Sequence, residues 1–311
     1  MKRGQSGIDA LVLVDKPVGP TSHDVVARVR RILGEKRVGH MGTLDPDASG
    51  LLVVGVGQAT RLNPYISSDR KSYRALIEFG SATTTDDAEG EVVREAEAPA
   101  LLADEEGMLR YLASWVGVRD QLPPLYSAIK LKGKPSYKRV RAGEDVELET
   151  RSVEIHDMEL VGVRSQVLEV DVTVSSGTYV RSIARDMGEE LGSAAHLVGL
   201  RRLTTGSLDV RDAVTLEELE SAQEAQELDS LFADPVAAIG LEPLQLTEAH
   251  RSAVLNGNTV HGIGDVDRVP GELVSLVSGN ELLAIGRMVG GRSVKPEVVF
   301  PSGIAGVKER P

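Results

Sequence analysis

The 311-residue chain contains no cysteine. That excludes disulfides, thiolate metal sites and a cysteine nucleophile, and it fits a reducing cytoplasm. Aromatic residues are scarce at 3 %, with one tryptophan, six tyrosines and three phenylalanines, so each well-placed tyrosine attracts notice. No apolar run approaches the roughly 18–20 residues that span a bilayer, which predicts no membrane association. The opening stretch MKRGQSGIDALVLVDKP has too short an apolar core for a secretion signal, and Asp9 and Asp15 bracket it. The six histidines (His23, His40, His156, His196, His250 and His261) are scattered without metal-ligand spacing. There is no Walker loop and no G-x-S-x-G elbow. GVGQAT follows an apolar run as a dinucleotide loop would, but it lacks the third glycine and is rejected as one.

What is present reads as a soluble globular protein, 41 % hydrophobic and 26 % charged, with room for two domains. The net charge of −12 argues against a nucleic-acid partner until its distribution is considered. Residues 206–250 hold eleven acids and one base, Arg211, and so carry −10. Ser127–Arg141, SAIKLKGKPSYKRVR, holds six bases and no acid. A compact basic segment can meet a phosphate backbone locally, or it can be a solvated loop.

Along the chain, TSHDVVARVRRILG predicts a helix capped by Thr21 or Ser22, with Asp24 suited to the helix dipole and Gly34 as a stop. Its apolar stripe is Val25, Val29 and Ile32, flanked by Val26 and Leu33. Arg28, Arg30 and Arg31 fall largely off that stripe and are candidates for RNA contact where they reach a cleft. LLVVGVG predicts a buried strand. Ser72–Gly80 alternates, with Tyr73, Ala75, Ile77 and Phe79 on one face and Arg74 and Glu78 on the other. TTTDDAEG reads as a polar loop, and Leu101–Val116 as an amphipathic helix. VLEVDVTV alternates again, with Leu168, Val170, Val172 and Val174 inward. SSGTYVRS then leads into a helix marked by Ile183, Met187 and Leu191. The acidic segment predicts one or two solvated helices. Past about Pro235 short strands take over, with a hairpin turning at Gly279–Asn280. The boundary therefore falls between 1–235 and a small β-rich domain at 236–311.

The most crowded stretch is RVGHMGTLDPDASGLL, from Arg37 to Leu52. Gly39 and Gly42 can supply unusual dihedrals, and Pro46 biases Asp45 to extended geometry. On turn chemistry alone Asp45 is an ordinary turn residue. The functional reading is a rigid loop presenting a carboxylate as nucleophile or general base. Such a carboxylate needs a partner, and Arg181, at a strand–helix junction, is the candidate that would hold it ionised and oriented.

DKPVGPTSHDVV followed by RVGHMGTLDPDASGLLVVGVGQATRL closely resembles the TruB family of tRNA pseudouridine synthases. KSYRALIEFGSATTTDDAEGEV, PPLYSAIKLKGKPSYKRVRAGEDVE and SSGTYVRSIARDMGEELGSAAHLVGLRRL continue the resemblance, as does LNGNTV with its hairpin. The match covers almost the whole chain and is weakest at about 207–235. It implies an α+β fold: a catalytic domain over 1–235 with a central mixed, mainly antiparallel sheet flanked by helices and loops. A small PUA-like RNA-binding domain over 236–311 follows. It implies isomerisation of uridine 55 in the T-arm loop of tRNA, with no cofactor, no metal and no required protein partner, by a cytoplasmic monomer.

By the same resemblance Asp45 falls on the catalytic aspartate, Tyr73 on the tyrosine that stacks on the target base, and Arg181 on the arginine paired to the aspartate. His40 falls on the residue that fills the gap left by the flipped base. Tyr179 and Leu200 fall in the substrate pocket, and Lys16, in DKPVGP, is a further candidate substrate contact. The basic stretch at about 127–149 falls on a thumb that closes over RNA, bringing Lys130, Lys132, Lys134, Lys138, Arg139 and Arg141 to the phosphates. Asp47 departs from the family, in which many relatives carry an apolar residue. A sister group uses the same catalytic domain in guide-RNA particles on ribosomal RNA. A non-catalytic chaperone that folds tRNA is the alternative from another functional class.

Overall fold

The computed structural model describes residues 6–66, 70–127, 130–131, 134–144, 146–264 and 268–308. Strand β1 (Ala10–Lys16) leads through DKPVGP into helix α1 (Ser22–Leu33). Thr21 and Asp24 cap that helix reciprocally: Thr21 N–H donates to the Asp24 carboxylate at 2.9 Å, and Asp24 N–H donates to Thr21 Oγ1 at 3.1 Å. Gly34 ends it with φ 61°, the left-handed geometry that favours glycine. Strands β2 (Val38–His40) and β3 (Ala48–Val56) flank the glycine-rich loop. Strand β4 (Lys71–Phe79) alternates as expected, with Tyr73, Ala75, Ile77 and Phe79 buried.

The helix expected over 101–116 is shorter. A 3₁₀ turn (Ala100–Ala103) precedes helix α2 (Glu105–Ala113). Asp104 separates them because its extended backbone and its carboxylate, accepting from Gly107 N–H at 3.0 Å, make it an N-cap. Then come strands β5 (Gly117–Gln121), β6 (Arg151–Arg164) and β7 (Val167–Val174), helix α3 (Val180–Glu190) and strand β8 (Ala195–Thr205). Helix α4 (Leu216–Ala225) lies in the acidic segment, and strands β9 (Leu273–Ser278), β10 (Glu281–Gly290) and β11 (Ser293–Ala305) follow it. The β9–β10 hairpin turns where expected, with Ser278 opposite Glu281 and Gly279 at φ 57°.

The contacts group the chain into two compact units, 1–68 with 204–311, and 69–203. In the first, the sheet runs Pro243–Gln245, β9, β10, β11, β1, β3. The β11–β1 pairing and the Pro243–Gln245 pairing with β9 are parallel; β9–β10, β10–β11 and β1–β3 are antiparallel. Leu11, Leu13, Leu51 and Val53 share a core with Val277, Leu282, Ile285, Phe300 and Ile304. The opposite face, with Val12, Val14, Leu52 and Val54, packs on Val25, Val29 and Leu33 of α1 and on Leu216 and Leu219 of α4. Each such side chain contributes about 1.5–3 kcal/mol when fully buried, so this central pair of strands is heavily anchored.

The second unit orders its strands β8, β4, β7, β6, β5, with β4–β7, β7–β6 and β6–β5 antiparallel. Helix α3 lies against β4 and buries Ile183, Ala184 and Met187. The α+β class with a mixed, mainly antiparallel sheet is as expected. Among the described residues, no helix is long and apolar enough to cross a membrane.

The charge run at 206–250 also finds its place. Helix α4 lies on α1, and Arg28 pairs with Glu217 at 2.9 Å and Glu220 at 3.2 Å. Arg28 is thus engaged with the acidic helix, because opposite charges face each other across two packed helices. Arg30 donates to the Val38 carbonyl at 2.6 Å.

Candidate active site

The loop 41–47 is held from behind and presents Asp45 outward. Ser22, the first residue of α1, donates its hydroxyl to the Leu44 carbonyl and accepts from Leu44 N–H, both at 2.9 Å. Gly19 N–H donates to the Pro46 carbonyl at 2.9 Å. Lys16 ends β1 opposite Gly50 and is fully buried. Its amine donates to the carbonyls of Pro46 at 3.0 Å, Ala48 at 2.6 Å and Pro17 at 3.0 Å. The residues on either side of Asp45 are therefore pinned, while Asp45 itself is exposed.

Lys16 was expected at the substrate. It sits inside the support of this loop, with no exposed surface and its amine given to backbone carbonyls. Gly42 has φ 117° and supplies the dihedral expected of it. Gly39 does not: it lies in β2 with ordinary backbone. His40 ends β2, half-buried, with its ring edge-on to His23 at 5.2 Å between centroids. Asp47 is exposed beside the loop.

In the second unit, Tyr73 is buried on β4, opposite Val172 of β7. Leu200 is half-buried on β8. Tyr179 is the residue before α3, and Arg181 is in the helix's first turn. Arg181 is 8 % exposed and is held within this unit by hydrogen bonds to the loop before α2 and to the chain that follows β5. It donates to the Asp87 carboxylate at 3.0 Å, to the Thr85 carbonyl at 3.2 Å and to the Tyr126 carbonyl at 3.1 Å. One turn on, Arg185 donates to Asp86 at 3.0 Å, to Asp186 at 2.8 Å and to the Leu122 carbonyl at 2.7 Å.

Sequence reading missed this acidic loop. TTTDD is more than a polar connection: its adjacent aspartates each take one arginine of α3. Asp86 adopts φ 62°, which aspartate tolerates, and that left-handed step separates the two carboxylates. Thr83 Oγ1 donates to the Asp87 carbonyl at 2.6 Å, and the Leu197 N–H of β8 donates to the Asp86 carbonyl at 3.0 Å. Burial pushes the Asp86 carboxyl above the usual carboxylate range, against the opposing pull of Arg185 and Arg181. Burial likewise raises Asp186 against Arg185. A signal was available: two arginines one helical turn apart and two consecutive acids.

Of the basic stretch, Lys132 lies outside the described residues, as do the side chains of Lys130, Lys134, Lys138 and Arg141. Arg139 pairs locally with Glu144 at 2.6 Å. The expected partnership of Asp45 and Arg181 takes one residue from each unit.

Comparison with known proteins gives the context for this geometry. Residues 30–180 match the TruB family pseudouridylate synthase N-terminal domain, and residues 181–237 match the tRNA pseudouridylate synthase B C-terminal domain. The tRNA pseudouridine synthase B of Thermobifida fusca (strain YX) is 44 % identical over 94 % of this chain and 98 % of its own length. That of Paenarthrobacter aurescens (strain TC1) is 42 % identical over 95 % and 96 %. The crystal structure of a Cbf5-Nop10-Gar1 complex superposes with a TM-score of 0.70 at 26 % identity, covering 94 % of this chain and 85 % of that one. By identity and coverage together, the chain belongs to the TruB family of pseudouridine synthases.

Proposed function

We propose that the protein is a tRNA pseudouridine(55) synthase. It isomerises uridine 55 in the T-arm loop of tRNA by catalysis through Asp45. The observation that carries this reading is the Asp45 loop, pinned at Leu44, Pro46 and Ala48 on either side of an Asp45 that is itself exposed. Family membership and relatives named tRNA pseudouridine synthase B support the same activity.

The reaction breaks the N1–C1′ bond and forms C5–C1′; C5 loses its proton and N1 gains one. The uracil must leave the stack, detach, turn and reattach, which requires unstacking worth a few kcal/mol. Tyr73 stacks on the flipped base, and His40 takes the place that the base leaves. Leu200 and Tyr179 line the pocket. Asp45 acts at ribose C1′, at uracil C6 or on a ribose proton, and Arg181 is paired to it and keeps it ionised. Arg181 is suited to this because Asp87 and two carbonyls hold its guanidinium in place. Lys130, Lys132, Lys134, Lys138, Arg139 and Arg141 grip phosphates as part of the thumb, and residues 236–311 act as a PUA-like RNA-binding domain. The enzyme works as a cytoplasmic monomer without a protein partner.

The guide-RNA reading draws on the Cbf5 likeness, at 26 % identity against 44 % to the Thermobifida relative. The test is pure protein with an unmodified tRNA transcript, followed by mapping of pseudouridine. Product at position 55 with no RNA but the tRNA itself supports the stand-alone enzyme; product only with a guide RNA refutes it.

A further inference from the structure

Tyr179 is held from two directions by residues that face each other across one strand pair. Arg151 of β6 and Gln121 of β5 are register partners. Gln121 fixes the backbone: its Oε1 accepts from Tyr179 N–H at 2.8 Å, and its Nε2 donates to the Tyr179 carbonyl at 3.1 Å. Arg151 covers the ring, with its guanidinium carbon 4.6 Å from the ring centroid. The residue held this way is the last before α3, two positions ahead of Arg181.

Arg151 lacks what a stabilising arginine has. Its Nε and Nη2, the side-on fork of the guanidinium, are buried and meet no acceptor among the described residues. Elsewhere in the protein that same fork grips a carboxylate. Arg74 uses it on Asp171, with both bonds at 2.8 Å, and Arg287 uses it on Glu297 at 2.6 and 3.0 Å. Desolvating a charged fork without acceptors opposes folding. Hydrogen bonding by that fork therefore gives no reason for an arginine at 151, whereas the attraction between a cation and the tyrosine π-face does.

We propose that Arg151 is a positioning residue for the isomerisation. It acts through the Tyr179 ring, over which its guanidinium lies while Gln121 holds the backbone. This inference rests on the reading of the chain as a tRNA-uridine isomerase.

The test compares Arg151→Met and Arg151→Lys, each alone and with Tyr179→Leu. It measures single-turnover isomerisation, tRNA affinity and melting temperature of the full chain. Arg151→Met is expected to slow isomerisation about tenfold, the worth of one desolvated cation–π contact. Its tRNA affinity should stay within about twofold, and its melting temperature should equal or exceed that of the wild type. Arg151→Lys, which keeps a cation over the ring, should recover to within about threefold. In the Tyr179→Leu background, Arg151→Met should cost nothing further, because the ring it acts through is gone.

A clear drop in melting temperature for Arg151→Met would make Arg151 a structural residue and overturn the proposal. So would a loss of tRNA affinity equal to the loss of rate, which marks a direct RNA contact. An undiminished effect in the Tyr179→Leu background overturns it as well. Wild-type protein that makes no pseudouridine refutes the functional reading instead, and the melting comparison then still decides whether Arg151 is structural.

Discussion

The Arg181 guanidinium donates to the Asp87 carboxylate at 3.0 Å, with side chains only 9 % and 16 % exposed. A pair this sheltered cannot lose one partner cheaply. Asp87→Ala is expected to lower unfolding free energy by about 2–4 kcal/mol in urea titrations, since it leaves a largely buried guanidinium short of an acceptor. Isomerisation should fall as well, because Arg181 loses its fixed orientation. A change below about 0.5 kcal/mol would class the pair with exposed salt bridges.

Lys16 should matter for the loop and not for RNA. Lys16→Met removes the donor to three carbonyls, two of them at Pro46 and Ala48. We expect a loss of about 2–4 kcal/mol, as buried carbonyls lose a charged donor. Isomerisation should drop sharply while tRNA affinity stays within about threefold, because the amine lies away from the surface. A variant that keeps its stability and loses tRNA affinity would return Lys16 to the substrate-contact role.

Asp86 gives a pH dependence with a definite sign. Burial, the largest effect, raises its folded-state carboxyl above the unfolded value. The folded protein then binds a proton more tightly than the unfolded chain does. This contribution to stability is greatest below the unfolded value near pH 4, declines as pH rises through the elevated folded value, and is flat above it. Urea midpoints of wild type and Asp86→Asn between pH 4 and 7 test this. The wild-type-minus-variant difference should fall with rising pH; a difference that rises would show a carboxylate held ionised by Arg185.

The charge distribution sets the salt response. Replacing Lys130, Lys132 and Lys134 together with Ala should flatten the slope of log affinity against log salt by up to about two units. Arg28→Ala should change that slope very little, since Glu217 and Glu220 already compensate its charge. Titrations of tRNA affinity against salt distinguish the two. An unchanged slope for the triple variant would leave the basic stretch a solvated loop.

Much of the framework could be read from residue order, because it depends on local rules. Alternation predicted the buried faces of β4 and β7, and Thr21 with Gly34 bounded α1 as cap and stop. The errors arose where a tertiary contact decided the outcome. Asp104 interrupted a periodic stretch by capping α2, a choice that apolar spacing does not encode. Arg28 looked free because its partners, Glu217 and Glu220, lie nearly two hundred residues away. The arginine-binding role of Asp86 and Asp87 was hidden for the same reason: TTTDD has loop composition, and only its seating against α3 gives the carboxylates their partners. Lys16 was expected as a substrate contact; that its amine is buried against the carbonyls of Pro46 and Ala48 is decided by the fold of the loop and not by residue type.

In the mechanism proposed above, Asp45, on its pinned loop, performs the chemistry. The direct measurement is pseudouridine at position 55 of an unmodified tRNA transcript, for wild type and Asp45→Asn, with tRNA affinity measured in parallel. The amide keeps size and polarity but is a very poor nucleophile and base. The wild type should give product and the variant none, with tRNA affinity nearly the same for both. Substantial pseudouridine from the pure variant would contradict this and remove Asp45 from the mechanism.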